Sequence, residues 1–374
     1  MQKVFVENTN IITSLGISTD EVVENILNGE CGLKIVDDKT YTQVPTPLSI
    51  IDKNVLPFNK EYTSFENLLI LSIEKALAGS KIDITSDDTI IILSSTKGNI
   101  DLLEKKNIGK YSDDRIYLWK TAETVADHFK NRNETITVCN ACISGVLALN
   151  LGKMLISSGK YENVIVAGGD ILSEFVIAGF QSFQSLSSKP CKPFDEKRDG
   201  LSLGEGFGTI ILSSSENESG IQLTGGAGSN DANHISGPSR TGDGLYYAIN
   251  SALNGSLLDA IEIDFLSAHG TATDYNDEME AKAFSLAMLE QTPVNSFKGY
   301  FGHTLGAAGV IEAILTVESM KRNVLFKNLG FENPGVSKAL NIIKENKEVK
   351  NIKVALKTAS GFGGCNAAIV FEKL

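Results

Sequence analysis

Prolines are scarce in this chain: 8 among 374 residues, against 34 glycines. Tight turns and close backbone approaches are favoured over extended linkers. No stretch reaches the roughly 18 uncharged apolar residues of a membrane span. The opening residues, MQKVFVENTN, lack the basic-then-apolar layout of a signal peptide. The 5 cysteines are odd in number and irregularly spaced. That argues against a disulfide framework and suits a reducing, cytoplasmic setting. Basic side chains are outnumbered, 34 to 46, for a net charge of -12. With no basic cluster interleaved with aromatics, nucleic acid and anionic membrane are disfavoured as partners. Low-complexity segments are missing too.

What is present alternates strand and helix. STDE (18–21) reads as a capping box, and Val22, Val23, Ile26 and Leu27 then share one helical face before Gly29. Thr63 and Glu66 repeat the device. TIIILSS (89–95) is a continuous apolar run, as in a strand buried on both faces. TITVCNA (135–141), NVIVAGGD (163–170) and GEGFGTIILSSS (204–215) are further strands, and GVLALNLGKMLISSG (145–159) is a helix. After the polar stretch SSSENESG (213–220) the alternation resumes. IQLTGGAG, IEIDFLSAHG, TPVNSFKG, NIKVALKTASGFGG and NAAIVFEKL read as strands. GDGLYYAINSALNGS, NDEMEAKAFSLAM and AAGVIEAILTVESMK read as helices. The pattern predicts α/β layering with a duplicated core, in halves 1–215 and 216–374.

CNACISG (139–145) admits several readings. As Cys-x-x-Cys it suggests a redox pair or half of a zinc site. Zinc needs a second ligand pair, and Cys31, Cys191 and Cys365 are scattered. A redox pair belongs at the start of a helix, whereas Cys139 reads as the last residue of a strand and a packing cysteine. Cys142 falls between strand and helix. There the helix dipole and free backbone N–H groups favour thiolate and can hold an oxyanion. Ser144 and Gly145 keep that turn small and open to substrate. The competing reading of Cys142 is a buried structural cysteine.

Of 4 histidines, His269 ends an apolar strand in FLSAHGTATDYNDEME, and His303 sits among glycines in NSFKGYFGHTLGAAG. Both contexts suit a ligand crevice. His128 reads as an ordinary surface histidine, and His234 as the same with room for a role at a pocket rim. Gly361, Phe362 and Gly363 form either a plain glycine hairpin or a loop that lends an N–H and swings Phe362 as a gate.

Together NACISG, AHGTATDYNDEMEA, KGYFGHTLGAAGVIEA, KPFDEKRDGLSLGEG and SGFGGCN resemble, in order, motifs of the elongating β-ketoacyl-[acyl-carrier-protein] synthases. The resemblance spans most of the chain. It implies the thiolase fold, with duplicated βαβαβ-type halves in a five-layer α-β-α-β-α sandwich. It implies decarboxylative Claisen condensation of an acyl-Cys intermediate with a malonyl-carrier thioester to a 3-oxoacyl-carrier, in fatty-acid, polyketide or aryl-polyene synthesis, without metal or cofactor, the substrates carrying phosphopantetheine. Cys142 would be the nucleophile, His269 and His303 the imidazole pair, Lys298 a supporting lysine beside His303, and Glu312 a buried acid. Thr271 and Thr273 would contact the phosphopantetheine arm, and Phe362, between Gly361 and Gly363, would gate the pocket. The implied partners are an acyl carrier protein and a second subunit, either a homodimer mate or a related chain. A non-elongating partner subunit of a heterodimer is the alternative. Two histidines point to the elongating branch, and Cys365 keeps a thiolase reading faintly open. The chain departs from the family between residues 97 and 135, which are short and highly charged. A carrier also calls for local basic side chains, with Lys189, Lys192, Lys197 and Arg198 as candidates.

Overall fold

The computed structural model describes residues 2–39, 42 and 44–374. The first half runs through β1 (Phe5–Ile12), α1 (Thr19–Leu27), α2 (Ser64–Ala78), β2 (Thr89–Ser94), α3 (Leu118–Phe129), β3 (Ile136–Val138), α4 (Ser144–Ser157), β4 (Asn163–Asp170), α5 (Glu174–Ser182) and β5 (Gly206–Ser213). The second runs through β6 (Ile221–Asn230), α6 (Asp243–Ser256), β7 (Phe265–Ser267), α7 (Asp274–Leu286), β8 (Pro293–Asn295), α8 (Lys298–Phe301), α9 (Ala308–Arg322), β9 (Asn341–Ile342), β10 (Val354–Gly361) and β11 (Cys365–Lys373). Short additional strands and 3₁₀ turns fill the connections.

These eleven strands hydrogen-bond in the order β9-β8-β7-β10-β11-β6-β1-β5-β4-β2-β3. The first half contributes β3-β2-β4-β5-β1 and the second β8-β7-β10-β11-β6, the same path used twice, with β9 added at one edge. In each half the first strand and its neighbour are antiparallel and the three outer strands parallel. The halves meet where Phe5 of β1 pairs with Gln222 of β6.

Residue alternation explains the layers. Ile90, Ile92, Val164 and Val166 pack with Val146 and Leu149 of α4 and Val310 and Ile314 of α9. Ile91, Leu93 and Ile165 face the other way, onto Phe65 and Leu68 of α2. In the second half Ala359, Ala367 and Ile369 join the central cluster, whereas Leu356, Ala368 and Val370 pack on Leu245 and Ile249 of α6 and Phe284 of α7. A strand buried on both faces needs apolar residues at consecutive positions. α4 and α9 thus lie between the two sheet halves, with α2 and α3 outside one and α6 and α7 outside the other. This is the five-layer sandwich.

Sequence and structure differ at several ends. Ser18 accepts from Glu21 N, but the Glu21 carboxylate reaches Ile17 N, so the first capping box is only half formed. The Thr63–Glu66 box is complete. IEIDFLSAHG yields only a three-residue strand, because Ala260–Glu262 turn as a 3₁₀ helix capped at Asp259. TITVCNA yields β3 alone, and Cys139 lies beyond it, exposed rather than packed. The charged 97–135 region is anchored inward. Arg115 pairs with the buried Glu66, and Asn99 bonds Glu66, the Arg115 carbonyl and Thr121.

Candidate active site

The chain after β3 bends sharply. Ala141 has φ +44°, a left-handed conformation that costs an alanine about 1 kcal/mol. Ser144 latches the bend: its hydroxyl accepts Asn140 N at 2.7 Å and donates to Ala141 O at 2.6 Å. Cys142 is thereby set at the head of α4, with its side chain in a cavity of ≈450 Å³. Gly145 serves packing rather than access. A Cβ there would come within 2.6 Å of Val310 N, and one on Gly309 within 2.5 Å of Val146 N. The two central helices cross at this glycine pair.

The second half brings both imidazoles to the thiol. His269 follows the end of β7; His303 follows Gly302, whose φ is +71°. The rings meet edge to face, with centroids 5.1 Å apart. The Cys142 sulfur and one nitrogen of each ring lie within 4.8 Å of one another, all buried. Leu305 N donates to His303 Nδ1 at 3.1 Å, which leaves the proton on Nε2. That Nε2 is buried without a hydrogen-bond partner among the described residues. Lys298 Nζ sits 3.2 Å from His269 Nδ1 and donates to the His269 carbonyl at 2.5 Å. The lysine therefore supports His269, not His303 as the resemblance implied. Its third partner is Glu312 Oε1 at 2.7 Å.

Burial sets the charge states. Both imidazoles are pushed well below the usual histidine range, first by desolvation and then by the Lys298 ammonium, with Lys357 adding to it. They are neutral hydrogen-bond donors. The Cys142 thiol moves opposite to the thiolate expectation. Desolvation pushes it up to about 11, although Lys298 and the Phe362 N–H pull it back. A helix N-terminus lowers a thiol only where its dipole outweighs the loss of water.

Carboxylates shape the loop that presents His269. Glu280 accepts His269 N at 2.7 Å and Gly270 N at 2.6 Å; Asp277 accepts Thr271 N at 3.0 Å and Ala272 N at 3.2 Å. Burial and the neighbouring Asp277 raise Glu280 to about 7. Thr271 and Thr273 line the cavity and share a 2.9 Å hydroxyl contact. Gly361 also lines it, and a Cβ there would meet Cys142 N at 3.0 Å. Gly363 turns away and donates to Ile235 O. Phe362 stands at the mouth against Phe180 and Phe183, with centroids 5.8 and 5.3 Å away. The 361–365 loop is a glycine hairpin that lends Gly361 and Phe362 to the cavity wall.

Other assignments sort cleanly. His234 lines the cavity, whereas His128 bonds Tyr62 and Glu74 far from it. Cys365 is not a lining residue; its sulfur accepts from Asn230 Nδ2 at 3.4 Å. All five cysteines are free. Cys139 is no part of the Cys142–His269–His303 trio, the one grouping of metal-capable donors among the described residues. The paired-cysteine zinc reading has no geometry behind it. Arg198 is held by Asp195 O and Gly335 O with its side chain 7 % exposed, so it is not a free surface cation. Lys192 and Lys197 both lie against Glu332, and Lys189 is exposed.

Sequence reading missed two buried groups. Asp170, at the end of β4, accepts from Ser95, Thr96, Lys97 N and Gly306 N, tying the first half to the turn after His303. Lys357, mid-strand on β10, pairs with Glu312 Oε2 at 2.8 Å. Its signal was a lone lysine inside the apolar run VALKTA.

A duplicated α/β sandwich that delivers one thiol and two neutral imidazoles to a common cavity has the architecture of a thiolase-fold, cysteine-centred enzyme. The beta-ketoacyl synthase N-terminal domain matches residues 1–218, and its C-terminal domain matches residues 222–332. The chain belongs to the beta-ketoacyl synthase family. It is 32% identical to a 3-oxoacyl-[acyl-carrier-protein] synthase 2 of Rhizobium meliloti over 67% of this chain and 64% of that one. It is 27% identical to the chloroplastic 3-oxoacyl-[acyl-carrier-protein] synthase II of Arabidopsis thaliana over 99% and 75%. A chain from the complex of a Xenorhabdus doucetiae ketosynthase with its chain length factor superposes with TM-score 0.88 at 25% identity, covering 100% of this chain and 98% of that one. No helix among the described residues is long and apolar enough to cross a membrane.

Proposed function

We propose that the protein is an acyltransferase of the 3-oxoacyl-[acyl-carrier-protein] synthase type, joining an acyl group to a malonyl-carrier thioester in fatty-acid or polyketide synthesis. The observation that carries this is the convergence of Cys142 Sγ with two neutral imidazoles in one buried pocket. In the first step Cys142 attacks the acyl-carrier thioester. Its proton leaves on the carrier thiol, so a thiol that is neutral at rest suffices. The backbone N–H groups of Cys142 and Phe362 flank the oxyanion.

In the second step the malonyl thioester loses carbon dioxide. The Nε2–H groups of His269 and His303 donate to the developing enolate oxygen. The new carbanion attacks the acyl-Cys142 carbonyl. The sulfur is expelled and takes up the one proton that the balance requires, giving the 3-oxoacyl-carrier. Lys298 and Glu312 hold His269. Thr271 and Thr273 bond the phosphopantetheine arm, and Phe362 covers the entrance. The chain needs no cofactor of its own in this scheme.

An acyl carrier protein is the donor and acceptor, and the exposed Lys189, close in sequence to the lining residue Ser185, is a cation that can meet its acidic surface. β3 is a sheet edge, paired to β2 on one side and open on the other among the described residues, and its residues are half-buried. It suits strand pairing with a second copy or a related subunit; a related subunit has precedent in a ketosynthase solved in complex with its chain length factor. Five free thiols suit a reducing, cytoplasmic compartment. Incubation with acyl- and malonyl-carrier should release one carbon dioxide per 3-oxoacyl-carrier formed, read by product mass. Carbon dioxide release with no chain extension would overturn the condensation; a protein inert both alone and with a homologous subunit would overturn the enzyme.

A further inference from the structure

Behind His269 lies a buried charge network larger than the Lys298–Glu312 pair. Lys357 is fully buried, and strand alternation puts it on the face of β10 that meets α9. The two oxygens of Glu312 are divided: Oε1 takes Lys298 at 2.7 Å and Oε2 takes Lys357 at 2.8 Å. The two ammonium groups also hold three successive carbonyls at the end of β7. Lys357 donates to Ser267 O at 3.4 Å and Ala268 O at 3.2 Å, and Lys298 to His269 O at 2.5 Å. The third hydrogen bond of Lys357, 2.5 Å to Thr358 O, fixes it to its own strand beside the ion pair with Glu312. An isolated buried ammonium is costly, and a strand interior is an unfavourable place for one.

We propose that Lys357 is a second positioning residue for the condensation. By sharing Glu312 with Lys298 and gripping the carbonyls ahead of His269, it fixes that imidazole against the pocket and adds a positive field behind both histidines. The inference rests on the reading of His269 and His303 as oxyanion donors. The field at the imidazoles comes from all sides: Lys298 on α8, Lys357 on β10, Glu312 on α9, Asp277 and Glu280 on α7, Asp170 at the end of β4, and the Cys142 thiol at α4. Removing Lys357 leaves Glu312 with one partner and shifts this balance toward negative. The imidazoles then protonate more readily, and a protonated pair no longer matches the neutral donors of the wild type.

The test compares the full-length wild type with Lys357→Met, using acyl-carrier and malonyl-carrier as separate probes. Acylation of Cys142 should stay within about threefold. Malonyl decarboxylation should fall about 10-fold, an order short of removing a direct oxyanion donor. The acid limb of its pH profile should move upward by about one unit, because the histidine values rise when a nearby cation is removed. NMR titration of the two imidazoles should show the same rise, and it reads the inference even if the wild type performs no condensation. Lys357→Gln, which keeps a donor but no charge, serves where the Met variant does not fold. Equal losses in both half-reactions, with unmoved imidazole titrations, would make Lys357 merely structural and overturn the proposal. So would a variant indistinguishable from wild type.

Discussion

The two halves trace one path but bury different things behind the shared pocket. In the first half the carboxylate at the end of β4, Asp170, is satisfied entirely by backbone and hydroxyl donors. In the second, two lysines and two glutamates surround the end of β7. The first half supplies the nucleophile, which needs a rigid, strained turn. The second supplies hydrogen-bond donors whose protonation state must be set, which needs charge. One scaffold thus separates holding the sulfur from tuning the imidazoles.

The sharpest way to break that division is His303→Ala. It should lower malonyl decarboxylation by about 10²–10³-fold and spare acylation of Cys142, measured as separate half-reactions. Equal losses in both would mean that the halves do not divide the work. Asp170→Ala should come next. It strands Gly306 N and Lys97 N without a buried partner, and should cost about 3 kcal/mol or more, read by denaturant unfolding. A small effect would mean that the carboxylate is dispensable to the first half.

Gly145→Ala and Gly309→Ala probe the crossing that the halves share. Each inserts a methyl group against facing backbone and should cost about 1–3 kcal/mol, with similar shifts in Tm. Strongly unequal shifts would show that the crossing is not symmetric. The smallest effect concerns thiol reactivity. At pH 8 iodoacetamide should label the exposed Cys31 and Cys139 before Cys142. The Cys142 rate should keep rising toward pH 11, as its raised value requires. A rate that levels off near neutrality would restore the thiolate expectation.

Much of this was legible in the sequence because periodicity and motif order are local. TIIILSS, NVIVAGGD and the Thr63–Glu66 box emerged as read. Cys142, His269 and His303 converge in space although 127 and 34 residues separate them along the chain. What failed was long-range. Sequence cannot tell which helices cross, so Gly145 read as an open approach rather than a contact with Val310. Nor can it tell which imidazole a lysine will reach, so Lys298 went to the wrong histidine. Cys139 read as packed because its strand was drawn one residue too long. Lys357 was passed over because the depth of a strand's burial depends on helices far along the chain. The Cys142 proton followed desolvation, a property of the assembled pocket, rather than the helix terminus visible in the sequence.

The central claim is that Cys142 alone accepts the acyl group. Incubation with an acyl-carrier donor, followed by proteolysis and mass spectrometry, measures it directly. The account predicts one acyl group per chain, on the peptide carrying Cys142, retained in Cys139→Ala and lost in Cys142→Ala. An adduct that resides on Cys139, or that persists in Cys142→Ala, would contradict it.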